Sequence, residues 1–270
     1  MNPHYEILEL KFHKYHGTGN DFILIDGRDG RFDTSSGLIA KLCDRRFGIG
    51  ADGLIILEKA KDFDFRMTYF NSDGKESTMC GNGGRCIMAF ADFLSLIDGD
   101  ARFIAIDGPH PGRIIGHDGD TYQVKIRMND VKKLNFRGDD CVIDTGSPHF
   151  VRFSENIRDF DIPGLARPIR YHHDFKPDGI NVNFVEESGQ SLFVRSYERG
   201  VEDETLSCGT GVTASALAFA HRTGMRDGTI PIRTPGGELR VSFTRANDGS
   251  FADIWLEGPA VRVFEGVVNV

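Results

Sequence analysis

No stretch of the 270-residue sequence stays apolar for the roughly 20 residues that a bilayer-spanning helix requires. The opening run, Met1-Asn-Pro-His-Tyr-Glu-Ile-Leu-Glu-Leu10, has acidic residues where a secretory leader needs a basic and then a continuously apolar stretch. No membrane partner is expected, and the location expected is the cytoplasm. Positive charge is scarce as well: 32 Lys and Arg stand against 40 Asp and Glu, a net charge of -8. Nucleic-acid binding draws its affinity from clustered Lys and Arg, so a nucleic-acid partner is not expected either. An anionic small molecule would have to be held by local donors. Cysteines are few, and Cys43, Cys80, Cys86, Cys141 and Cys208 are odd in number and widely scattered, unlike a disulfide framework. Cys80 and Cys86 could form half of a metal site, but zinc pairs usually lie closer together and no matching His/Cys pair follows Cys208. No metal is expected. No lysine environment singles out a pyridoxal site.

What is present is an ordinary globular composition, 40% hydrophobic and 27% charged, able to build a sizeable core in one large or two medium domains. Three short elements recur in the same order. Gly19-Asn20-Asp21-Phe22 answers Gly146-Ser147-Pro148-His149-Phe150, Asp52-Gly53-Leu54 answers Asp178-Gly179-Ile180, and Cys80-Gly-Asn-Gly83 answers Cys208-Gly-Thr-Gly211. Their offsets are 127, 126 and 128 residues. Such agreement marks an internal duplication.

Each Cys-Gly motif precedes an alanine-rich segment, about 85–96 and 212–221, containing Ala89-Phe90-Ala91 or Ala218-Phe219-Ala220. Both are apolar on nearly every face, which predicts helices buried all round. Short runs ended by Gly, Asp, Asn or Pro predict strands, among them 22–25, 54–57, 65–70, 121–126, 191–197 and 239–243. The expected fold is α/β (α+β), with two pseudo-symmetric domains joined near Arg127 to Asn135 and the site in the cleft between them. The first domain covers 1–127, with the C-terminal strand 257–270 packing back onto it; the second covers 128–256.

Placing each Cys-Gly-x-Gly turn at the opening of a buried helix puts both thiols at helix N-termini. Unpaired N–H groups and the helix dipole there stabilise anions, which is expected to lower a thiol pKa from about 8.5 toward neutrality. The N–H groups of Gly81, Asn82, Gly209 and Thr210 can cradle a carboxylate. Removing the α-proton of an amino acid spreads negative charge onto its carboxylate, so two helix dipoles aimed there stabilise the developing enolate. Inversion needs a base on one face and an acid on the other, and a duplicated scaffold supplies that pair. A single Cys-Gly turn is more often only a tight turn; two at matched positions point to Cys80 and Cys208 as catalytic. By helical periodicity Cys86 is packing.

The motifs His16-Gly-Thr-Gly-Asn-Asp-Phe22, Arg46-Phe-Gly-Ile-Gly-Ala-Asp52, Phe70-Asn-Ser-Asp-Gly74, Met79-Cys-Gly-Asn-Gly83, Tyr197-Glu-Arg-Gly200 and Glu204-Thr-Leu-Ser-Cys-Gly-Thr-Gly211 together resemble the diaminopimelate epimerase family, from about Lys14 to the last strand. The resemblance implies β-barrel-like sheets wrapped around central helices, usually in a homodimer. It implies cofactor-independent interconversion of LL- and meso-diaminopimelate in lysine and peptidoglycan-precursor synthesis. It makes Cys80 and Cys208 the acid/base pair, with His149 and Glu198 tuning their pKa values. A charged His favours the thiolate and a carboxylate favours the thiol. Asn20, Asn71, Asn181 and Arg199 suit the second, unreacting amino-acid centre, and Gly53, Ser147 and Glu198 also belong to the substrate-binding set that the resemblance implies. Two positions depart from the family pattern: Gly53 stands where many members have Gln, and Ser147 where Asn is usual. The segment Met1–Leu10 lies outside the resemblance. The nearest rival is a proline or hydroxyproline racemase-like two-thiol enzyme; a noncatalytic amino-acid binder and a redox protein are further alternatives.

Overall fold

The computed structural model describes residues 9–270, so residues 1–8 of the leading segment lie outside the described residues. Among the described residues four α-helices, α1 (Ser36–Cys43), α2 (Gly81–Phe93), α3 (Ile162–Arg170) and α4 (Gly209–Thr223), are set among 17 strands joined in one hydrogen-bonded network. Every residue of α2 from Gly81 to Ala91 is buried, and α4 is buried from Gly211 to Ala220. Neither helix has a polar face to give to solvent, so each needs strands on all sides. Around α2 pack Asn20–Asp26, Gly53–Glu58, Gly108–Asp118, Thr121–Arg127 and parts of both terminal strands. Asp140–Asp144, Pro148–Phe153, Asn181–Ser188, Ser191–Glu198, Asp227–Thr234 and Gly237–Arg245 surround α4. Two apolar cores result, one on Phe90, Phe103 and Val124, the other on Leu217, Val241 and Leu256. Each fully buried large side chain contributes about 1.5–3 kcal/mol from removal of apolar surface.

The duplication survives in the topology. Asn20–Asp26 runs parallel to Gly53–Glu58, which pairs antiparallel with Arg66–Asn71; the short strand Glu76–Ser77 and then α2 follow. Pro148–Phe153 runs parallel to Asn181–Ser188, which pairs antiparallel with Ser191–Glu198; Asp203–Thr205 and then α4 follow. The long strand Phe251–Asn269 pairs with Gly237–Arg245 on the second half, then with Thr121–Arg127 and Glu9–Gly17 on the first. The strands expected from sequence are all present, with ends moved by a residue or two, except the last, expected at 257–270, which begins at Phe251 and pairs first with the second half.

The central helices start earlier than periodicity suggests, at Gly81 and Gly209 instead of near Arg85 and Val212. Glycine costs about 1 kcal/mol per helical residue relative to alanine, so the sequence reads as a turn. Close packing overrides that preference. A Cβ on Gly83 would lie 3.0 Å from Ile55, and one on Gly84 2.9 Å from Met79. At its other end α4 runs on to Thr223 and is stopped by Gly224 in the left-handed conformation, φ 72°.

Candidate active site

Cys80 and Cys208 are the N-cap residues of α2 and α4, both with extended backbone. They line one cavity of about 820 Å³ together with Asn20, Asn71, Gly81, Asn82, Ser147, Asn181, Glu198, Arg199, Gly209 and Thr210. Residues from both halves of the duplication therefore converge. Of the positions singled out in the sequence, Gly53 and His149 do not line it. Arg45, Asp52, Tyr69, Asp107 and His110 do, without having been assigned a site role from the sequence. The cavity thus carries both signs of charge, as a zwitterion requires.

The thiols do not sit at the lowered pKa that a helix start alone suggests. Burial pushes Cys80 up, against the opposing pull of the Gly83 and Asn82 N–H groups, and the Glu198 carboxylate adds to the rise. Cys208 is raised in the same way, by burial first and Glu198 second, with Thr210 and the Gly211 N–H opposing. Desolvating a thiolate outweighs the helix dipole here. Glu198 is itself nearly buried, and desolvation raises its pKa. One carboxylate thus biases both thiols toward the protonated form.

A hydrogen-bonded chain with a defined sense fixes the surroundings of Cys80. Asn82 donates to the carbonyl of Ser207, 3.0 Å, and to Asn20 Oδ1, 3.2 Å. Asn20 in turn donates to Asp52 Oδ2 at 2.8 Å, which turns its Oδ1 toward Cys80 Sγ at 3.7 Å. Asp52 is held by Arg45, 2.7 Å, and Arg45 also holds Asp21. Because a carbonyl and a carboxylate only accept, both amide orientations are determined. The fully buried Arg85 anchors the chain by donating to Asn82 Oδ1, 2.8 Å, and to the carbonyls of Gly81 and Pro259, 3.1 and 3.2 Å. Near Cys208, Thr210 Oγ1 lies 3.5 Å from the sulfur, and the Thr210 carbonyl accepts from Thr145 at 2.9 Å.

His149 is fully buried. Asn183 Nδ2 donates to the Phe150 carbonyl at 3.0 Å and to His149 Nδ1 at 3.1 Å. The carbonyl fixes the Asn183 amide, so Nδ1 is an acceptor and the proton resides on Nε2. Burial, with Arg199 nearby, lowers the His149 pKa to about 3, and the ring is neutral. Nε2 has no partner among the described residues. The link to the thiols runs through the first turn of α4: a Cβ on Gly211 would lie 2.4 Å from Asn183 Oδ1 and 3.3 Å from Cys208 Cβ.

Asn181 is fully engaged as a donor, to Ser147 Oγ at 2.8 Å and the Pro148 carbonyl at 3.0 Å, while its Oδ1 accepts from the Arg199 N–H at 2.8 Å. Having accepted from Asn181, the Ser147 hydroxyl keeps its own proton for a ligand. Asn181 braces the Ser147 side chain and the Pro148 and Arg199 backbones, and the Arg199 guanidinium makes no hydrogen bond among the described residues.

The sequence pattern of the family described as diaminopimelate epimerase matches residues 12–108 and 141–263. A curated relative from Flavobacterium psychrophilum, named diaminopimelate epimerase, is 48% identical over 96% of this chain and 100% of its own length. One of the same name from Chlorobaculum tepidum is 38% identical, covering 94% of this chain and 99% of the relative. Among solved structures, a PhzF-family phenazine biosynthesis protein of Bacillus anthracis superposes with TM-score 0.75 at 14% identity, covering 98% of this chain and all of the other. A hydroxyproline epimerase from Agrobacterium vitis gives 0.69 at 15% identity, with coverages of 98% and 94%. At such identities the structural likeness establishes the fold alone.

Proposed function

This chain belongs to the diaminopimelate epimerase family, and on that premise we propose how its residues carry out the interconversion of LL- and meso-2,6-diaminopimelate. The observation that carries the reading is the placement of Cys80 and Cys208 at the starts of two facing central helices in one cavity. One sulfur, as thiolate, takes the α-proton from one face. The electron pair left on the α-carbon delocalises into the adjacent carboxylate, cradled by the N–H groups of Gly81, Asn82, Gly209 and Thr210, where both helix dipoles stabilise it. The other sulfur, as thiol, delivers its proton to the opposite face, and the roles exchange in reverse. The helix starts do the work of an electron sink, so no pyridoxal group or metal is required.

The raised thiol pKa values give substrate binding a second task. A bound ammonium beside Glu198 offsets the negative charge that holds the thiols protonated, so the thiolate forms once the site is filled. Glu198 is the tuning group; His149, expected to favour the thiolate when charged, is neutral and instead supports the first turn of α4 through Asn183, and Arg199, Ser147 and Asn71 hold the far amino-acid centre with Asn20 and Asn181 as oriented supports. We propose also that the enzyme serves lysine and peptidoglycan-precursor synthesis in the cytoplasm. Domains 1–127, with 257–270 packed back onto it, and 128–256 are proposed to close on substrate. Half-exposed Val263, Phe264 and Val267 along the last strand support a homodimer, which light scattering tests.

Turnover of LL-diaminopimelate in heavy water, with no cofactor added, tests the two-thiol mechanism. Solvent deuterium is expected at the inverted α-carbon. Inversion that retains the original hydrogen over many turnovers overturns it.

A further inference from the structure

Tyr69 lies two residues before Asn71 in the strand Arg66–Asn71, so the two side chains share a face, and both line the cavity. Its ring is set edge-on to Phe22 with centroids 5.9 Å apart. Its hydroxyl donates to Asn71 Oδ1 at 2.9 Å. With that proton committed, the phenolic oxygen has only acceptor capacity left for a ligand. Burial, with Cys80, Glu198 and Asp52 nearby, keeps the phenol protonated. An acceptor among acidic groups is suited to a cation and not to a carboxylate.

Gly53 makes this placement available. A Cβ there would fall 2.6 Å from Tyr69 Cε2, 3.2 Å from its hydroxyl and 2.6 Å from the Phe70 carbonyl. The ring fills the room a side chain at 53 would need. In the second half the strand register places Asn181 and Ser196 where Gly53 and Tyr69 stand in the first. There the asparagine side chain is present and the serine is small, its hydroxyl donating to Asn183 Oδ1 at 2.8 Å. The first half exchanges these sizes: glycine at 53 leaves room for a tyrosine at 69, whose ring becomes a cavity wall.

We infer that Tyr69, given room by Gly53, is a specificity-determining residue that accepts a hydrogen bond from the ammonium of the substrate's unreacting amino-acid centre. This rests on the epimerase reading above. It places an acceptor for the ammonium beside Asn71, and it explains how a chain without a side chain at position 53 still recognises the far end.

The test compares wild type with Tyr69→Phe, using LL-diaminopimelate as substrate and 2-aminopimelate, the same chain without the distal amino group, as competitive inhibitor. For the variant, kcat/KM for LL-diaminopimelate should fall roughly tenfold or more, the loss expected for a hydrogen bond to a charged group. The inhibition constant of 2-aminopimelate should stay within about twofold. Equal weakening of both would assign Tyr69 a purely supporting role, and no change in either would remove the contact; each overturns the inference. A wild-type enzyme that holds 2-aminopimelate as tightly as diaminopimelate would overturn distal ammonium recognition itself. Failure of the two-thiol reading shows separately, as the missing deuterium in heavy water.

Discussion

Gly81 and Gly209, the first residues of the two central helices, are in backbone contact: a Cβ on Gly209 would lie 3.3 Å from the Cα of Gly81. The same two positions share Leu256, whose Cδ2 would meet a Cβ on either at 2.8 or 3.0 Å. Two positive helix ends are thereby brought to one point, at the cost of the dipoles' mutual repulsion, which an anion between them relieves. A methyl group at either glycine must separate the helices or displace Leu256. Gly81→Ala is expected to lower stability by about 1–3 kcal/mol, as overpacking does, and to lower kcat on the order of 10²-fold by moving one sulfur against the other. Urea unfolding and turnover on the same preparation check it. Undiminished kcat would show that the contact is not needed for chemistry.

The two thiols themselves give the plainest expectation. Cys80→Ala and Cys208→Ala each remove an acid/base group on one face of the α-carbon, and each should lower epimerisation by roughly 10²–10⁴-fold or more. Because the helix around each cap keeps its packing, circular dichroism should remain that of wild type. Full activity in either variant would refute the role given to that sulfur.

These positions were legible in the sequence because duplication repeats them at one spacing, and because helices apolar on every face can only be central. The Cys-Gly-x-Gly motif read as a turn before the helix, since glycine disfavours helices and only the contacts of Gly81, Gly83 and Gly84 explain its inclusion. Tyr69 was hidden for another reason. The expected strand 65–70 contains Tyr69 but ends before Asn71, and the exposure of Tyr69 to the cavity depends on the missing side chain at Gly53 on the neighbouring strand. The thiol pKa expectation failed because helix-dipole reasoning is local, whereas desolvation depends on everything packed above the site. His149 was likewise located by its motif, while its neutrality is set by burial and its tautomer by Asn183, a residue in no motif.

The neutrality of His149 has a measurable consequence for stability. Its folded pKa of about 3 lies below the ordinary 6.5, through burial first and Arg199 second. The unfolded chain therefore binds a proton that the folded chain refuses, and stability falls as pH drops from about 6.5 toward 3, by about 1.4 kcal/mol per pH unit from this group. His149→Gln removes that contribution. The stability difference between wild type and variant should then shift against wild type by about 1 kcal/mol between roughly pH 6.5 and 5.5 in urea unfolding, the slope being half its full value where the unfolded histidine is half protonated. A constant difference over that interval would mean that His149 accepts its proton in the folded enzyme.

Arg85 connects stability to the site most directly. Its guanidinium is fully buried without a carboxylate partner among the described residues, and burial lowers its pKa to about 10. What compensates is geometry: a planar fork reaching Gly81 O, Asn82 Oδ1 and Pro259 O at once. An ammonium cannot span those three acceptors, so Arg85→Lys leaves at least one buried oxygen unpaired and should cost about 1–3 kcal/mol in unfolding free energy. The larger expected effect is on turnover. With only the long contact from the Thr18 hydroxyl left on its Oδ1, 3.4 Å, Asn82 is held less firmly toward Ser207 O and Asn20, and the orientation of Asn20 toward Cys80 then depends chiefly on Asp52. A kcat loss of about tenfold is expected, beyond any loss from unfolding, which titration of competent sites corrects for. If Arg85→Lys lost stability alone and kept kcat per folded molecule, the Asn82–Asn20 chain would be scaffolding with no hold on the thiol.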